Sequence, residues 1–106
     1  MAREKFQTLT EQMFYILLCL QQEQCGADIM AQVTALTAGR VSVGPGTLYN
    51  LLEQFLDAGY IRETKVEGRR RSYLLTEAGQ TALAEERRRL QAQIDDYDHL
   101  TAKGGT

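Results

Sequence analysis

A chain of 106 residues, 43 % hydrophobic and 25 % charged, has room for one packed domain and too little for two. Its longest apolar run, Met13–Leu20, falls far short of the roughly 20 residues of a membrane span, and the N-terminus lacks the apolar centre of a signal peptide, so a cytoplasmic protein without membrane contact is expected. A net charge of −2 and a pI near 5.4 exclude a uniformly basic surface, which leaves local clustering of charge as the only route to a nucleic-acid partner.

Cys19 and Cys25 are the only two cysteines, too few for a disulfide framework, and a cytosol keeps thiols reduced. Cys19 reads as a small core residue. His99 is the only histidine and lies in the last helix, so a structural zinc site is improbable, and no Ser/His/Asp set, metal cluster or Walker-type phosphate loop is seen. Catalytic residues, metals and cofactors are therefore not expected.

Residues 1–7 read as a flexible N-terminus. The string Thr8-Leu9-Thr10-Glu11 reads as a capping box with Thr8 as N-cap and Glu11 reaching back. The helix that follows runs to about Gln22 and is apolar on all sides, which predicts one face on the core and a second on a partner subunit. A second helix starts at Cys25 or Gly26 and ends near Gly39, with Ile29, Val33 and Leu36 on one face.

The third helix is the clearest. Gly44 suits the N-cap and Pro45 the first helical position, where its missing N–H matters least. Leu48, Leu51, Leu52, Phe55 and Leu56 form an apolar stripe, and Gly59 supplies a left-handed stop. Thr47, Asn50, Glu53, Gln54 and Asp57 occupy the opposite face, with Tyr49 on the border. Two helices joined by a short turn, the second entering through Gly-Pro-Gly, match a helix-turn-helix.

After Gly59 the period changes from 3.6 towards 2. Tyr60–Val66 and Arg69–Leu75 read as strands joined by a Glu67-Gly68 turn. Between Arg62 and Tyr73 five basic residues face two acidic ones, a local charge of +3 against −5 elsewhere. Three helices followed by a basic ribbon give the order of a winged helix-turn-helix, placed here at residues 8–76. Thr76 caps a final helix over residues 77–100, whose Leu83, Leu90, Ile94 and Tyr97 form a sparse seam that a small domain cannot bury alone, which implies dimerisation. Arg87, Arg88 and Arg89 read as a solvated face paired with Glu85 and Glu86 rather than as a second DNA contact. Residues 101–106 read as a disordered tail.

The fold class expected is thus mainly α with a small β-hairpin. At the major groove the expected residues are Pro45, Gly46, Thr47, Tyr49 and Asn50: Gly46 for close backbone approach, the hydroxyls for phosphates, and Asn50 for adenine. Lys65, Arg69, Arg70 and Arg71 would meet phosphates or the minor groove, with strand alternation sending Arg70 to the side opposite Arg69 and Arg71. The competing class is a winged-helix protein–protein interaction module without specific DNA binding. Such a module would show apolar groups on the exposed face of the third helix, and that face is polar.

Gly44-Pro45-Gly46-Thr47-Leu48-Tyr49, Ala58-Gly59-Tyr60-Ile61, Gly68-Arg69-Arg70-Arg71-Ser72-Tyr73 and Leu75-Thr76-Glu77-Ala78-Gly79 together resemble the PadR family of bacterial transcriptional regulators. The resemblance covers roughly residues 8–100. It implies a homodimeric transcription factor bound to double-stranded operator DNA, usually a repressor, that releases DNA when a small molecule binds. A single C-terminal helix is similar to the short subfamily, in which it packs on the partner's first helix and several members hold aromatic or hydrophobic effectors at the dimer centre. Phe14, Tyr15, Leu18, Leu90, Ile94 and Tyr97 are the residues expected at that interface or effector site. The chain has no Trp, the residue that often stacks the ligand in that group.

Overall fold

In the computed structural model, residues 8–104 are described. They form α1 (Glu11–Cys19), β1 (Gln24–Cys25), α2 (Gly26–Leu36), α3 (Pro45–Ala58), β2 (Ile61–Glu67), β3 (Arg70–Leu75) and α4 (Glu77–Gly104). This is the mainly helical winged architecture with a long final helix that the sequence predicts. The expected flexible segment 1–7 and the last two residues of the expected tail lie outside the described residues.

Helix α1 starts two residues later than its sequence suggests. Thr10 is the N-cap: its hydroxyl accepts from the Met13 N–H at 3.2 Å, and the Met13 sulfur accepts the Thr10 N–H at 3.4 Å. Leu9 thereby stands just before the cap and is buried, beside Phe14 at the fourth helical position, in the arrangement of a hydrophobic staple. Burying a leucine contributes about 1.5–3 kcal/mol, far more than any preference of Thr8 over Thr10 as a cap. Glu11, freed from that role, pairs with Arg40 at 2.9 Å. The helix also ends at Cys19, three residues short of the expected Gln22.

Ile16, Leu17 and Leu20 are completely buried, while Met13, Phe14, Tyr15 and Leu18 are only half-buried. Against α1 pack Ile29 and Val33 of α2 and Leu48, Leu52 and Phe55 of α3, which complete the core. The α2–α3 connection is held by Thr37, whose hydroxyl donates to the Val33 carbonyl at 2.9 Å and accepts the Val41 N–H at 3.0 Å. Gly44 and Pro45 open α3 as expected. Gly59 closes it at φ +80°, with the Tyr60 N–H returning to the Phe55 carbonyl at 2.9 Å.

The ribbon gains a third strand that its sequence does not announce. Gln24 and Cys25 pair antiparallel with Tyr73 and Ser72, so the sheet order is β1-β3-β2. The hairpin turn is Gly68-Arg69, one residue later than expected, because Glu67 pairs with Arg70. Between Glu63 and Lys65 the register shifts, leaving Thr64 as a bulge whose hydroxyl donates to Glu23.

Thr76 caps α4 through the Gly79 N–H at 3.1 Å. The helix runs 28 residues to Gly104, so residues 101–104 are helical where a disordered tail is expected. Only its first part is anchored, by Leu83 and by Glu86, which is 5 % exposed. The Glu86 carboxylate accepts the Leu9 N–H at 3.3 Å and pairs with Arg89. From Gln91 to Ala102 every residue is exposed, and the molecule measures 61 Å along its longest axis. Among the described residues no helix is long and apolar enough to cross a membrane.

Candidate nucleic-acid interface

Burying the stripe of α3 fixes what the helix shows outside. Leu48, Leu51, Leu52 and Phe55 face the core, so Pro45, Gly46, Thr47 and Asn50 are exposed on the first two turns. Gly44 makes no side-chain cap bond, which leaves the first N–H groups of α3 available at the positive end of the helix dipole. The side-chain oxygen of exposed Asn50 accepts from the Gln54 amide at 3.4 Å, and the Asn50 amide makes no hydrogen bond to a described residue. An amide, a hydroxyl and a glycine on an exposed helix start can approach base edges and phosphates closely.

Tyr49 behaves differently from its neighbours. Its ring leans back over the start of α2, where a Cβ on Gly26 would overlap its hydroxyl end. The side chain is 47 % exposed and forms one wall of a cleft of about 590 Å³ between α3, the start of α2 and β3. Glycine at 26 is what allows this close approach.

Arg69, Arg70 and Arg71 all line that cleft. Alternation would have sent Arg70 to the other side, but Arg69 sits in the turn, outside the strand's phase, and the long side chains at the twisted tip converge. Their charges are not equivalent. Arg71 is paired with Glu63 across the ribbon at 2.9 Å, whereas Arg69, Arg70 and the exposed Lys65 form no ion pair with a described residue. Tyr73, Leu56 and Glu53 complete the lining. Glu53 is expected from the sequence only to repel phosphate, and Tyr73 and Leu56 carry no functional signal there. Leu56 was expected in the core stripe and is 37 % exposed, and a buried tyrosine within a strand has no distinguishing signal in one sequence.

The second group of predicted residues is only partly gathered. Phe14, Tyr15 and Leu90 line a cleft of about 300 Å³ between α1 and α4, together with Leu9, Thr10, Glu11 and Glu86. The Tyr15 hydroxyl accepts from Arg40 at 3.2 Å. Leu18 is half-buried elsewhere on α1, and Ile94 and Tyr97 stand exposed on the unsupported part of α4.

Residues 16–85 match the model of the transcriptional regulator PadR-like family. Comparison with curated protein sequences finds no match. Among solved structures, the chain is similar to a PadR-like transcription factor from Bacteroides fragilis, with 26 % identity over 83 % of this chain and 87 % of that one and a TM-score of 0.70. A transcriptional regulator from Clostridium thermocellum is similar at 18 % identity, over 84 % and 90 % of the two chains, with a TM-score of 0.72. RosR of H. salinarum shares 19 % identity over 93 % and 96 %, with a TM-score of 0.70. The last two likenesses establish the fold. The family match spans well over half the sequence and covers α2, α3 and the wing entire, so the chain belongs to the PadR-like family of transcriptional regulators.

Proposed function

We propose that the chain is a sequence-specific DNA-binding regulator that acts in the cytoplasm as a homodimeric repressor released by a small molecule. The observation that carries this reading is the pairing of an exposed, polar first turn of α3 with two wing arginines that form no ion pair with a described residue. Thr47 and Asn50 would read and position the major groove, and Arg69, Arg70 and Lys65 would neutralise phosphates. Glu53 and Asp57, further along α3, repel phosphate, so the helix enters the groove by its start. A family of transcriptional regulators carries no enzymatic role, and nothing in the site calls for one.

Dimerisation is supported by α4, where Ile94, Tyr97 and Leu100 are 53–68 % exposed on a helix that continues past the body of the domain. The half-buried face of α1 is the natural seat for a partner's α4. The 300 Å³ cleft at Phe14, Tyr15 and Leu90 is where a small aromatic or hydrophobic effector would act on that contact. Fluorescence anisotropy with duplex DNA from upstream of the protein's own gene tests the reading. Tighter binding to this duplex than to a scrambled one is expected; equal affinity for both, or no binding at low salt, would favour a protein-interaction module instead.

A further inference from the structure

Gly26 is a glycine that its backbone does not require. It is buried at the first position of α2, and its φ lies outside the left-handed region that Gly39, Gly59 and Gly68 enter. Alanine forms helix better than glycine, so something other than backbone conformation favours glycine here. Space supplies the reason. A Cβ at position 26 would overlap the Tyr49 hydroxyl and stand 2.8 Å from its Cζ and 3.0 Å from its Cε1. All three of its nearest neighbours would be atoms of this one ring.

Tyr49 is 47 % exposed, and its hydroxyl makes no hydrogen bond to a described residue. Neither deep burial nor an internal bond fixes the ring, so the surface it leans on sets where it stands. That place separates it from its neighbours on α3. Tyr49 lines the cleft of about 590 Å³ together with Arg69 and Arg70, whereas Thr47 and Asn50 do not.

We propose that Gly26 is a positioning residue for DNA binding. Lacking a side chain, it lets Tyr49 turn back towards the wing, where the hydroxyl joins Arg69 and Arg70 in holding one stretch of phosphate backbone. Tyr49 then acts with the wing, independently of base sequence, while Thr47 and Asn50 face the bases. A neutral hydroxyl donates to a phosphate without releasing a counterion, so this contact raises affinity and leaves the salt slope alone. A side chain at position 26 turns the ring outward and withdraws the hydroxyl from the phosphates. The inference rests on the DNA-binding reading.

The test is fluorescence anisotropy of full-length variants on upstream and scrambled duplexes at several salt concentrations, with thermal unfolding of each variant alongside. Tyr49→Phe should weaken binding to both duplexes about tenfold, the loss of one hydrogen bond to a charged group. Its salt slope and its upstream-to-scrambled ratio should match wild type. Gly26→Ala should weaken both duplexes by at least as much, with a thermal midpoint at or above that of wild type. In a Tyr49→Ala background the ring is gone, so adding Gly26→Ala should cause no further loss. That double variant has room for both alanines and decides the question even where Gly26→Ala alone misfolds. Wild-type binding by Gly26→Ala, a further loss in the double variant, or a loss confined to the upstream duplex would overturn the positioning role. So would a Gly26→Ala midpoint well below wild type, which would make the glycine structural. A wild-type protein that binds neither duplex would instead sink the DNA reading itself.

Discussion

Arg70 and Arg71 are adjacent in sequence and unequal in electrostatic duty. Arg71 already has Glu63 at 2.9 Å, so a phosphate would compete with an existing partner, whereas Arg70 has no ion pair with a described residue. Arg70→Ala should therefore reduce the salt dependence of DNA binding by about one unit of slope, and Arg71→Ala by clearly less. Anisotropy titrations at several salt concentrations measure both. Tyr73 gives a second test at this scale. Its burial raises the folded pKa above the unfolded one, so its stabilising contribution is full below the ordinary tyrosine pKa and is lost as pH rises through the folded value. An alkaline absorbance titration should show one of the five tyrosines ionising late, a step absent in Tyr73→Phe. The sequence separates Arg70 from Arg69 and Arg71 by strand alternation, but not the pairing of Arg71 with Glu63, which only the ribbon's register creates.

Elements were legible where the local signal and the packing agree. Helix α3 begins at Pro45 and stops at Gly59 as its sequence states, because the cap residues, the apolar stripe and the left-handed stop all specify the same ends. The start of α1 is ambiguous in the sequence because two threonines compete for the cap, and the choice is made by burial of Leu9 beside Glu86, 77 residues away in sequence, and Leu90. Strand β1 is not legible in the sequence, since two residues, Gln24 and Cys25, carry no period of their own and become a strand only by pairing with β3. Glu86 was expected on a solvated face and is instead the polar pin between α4 and the N-terminal segment. Its Ala substitution should lower stability by about 1–3 kcal/mol, at the lower end because Arg89 is partly solvated. Denaturant unfolding of Glu86→Ala against wild type checks this, and an unchanged midpoint would contradict the pinning role.

At the scale of the whole molecule, a domain of 106 residues extends 61 Å because the far part of α4 leaves the body. Exposed Ile94, Tyr97 and Leu100 are consistent with a surface completed by a second copy. Changing the three together to Lys should shift sedimentation from dimer to monomer and weaken DNA binding, since two half-sites would no longer be held at fixed spacing. The central claim is that the start of α3 discriminates sequence while the wing supplies charge. Its most direct measurement compares wild type, Asn50→Ala and the Arg69→Ala/Arg70→Ala double variant on upstream and scrambled duplexes. The account predicts that Asn50→Ala reduces affinity for the upstream duplex alone, and that the double variant weakens both duplexes alike. Equal losses on both duplexes in Asn50→Ala, or unchanged affinity in the double variant, would contradict it.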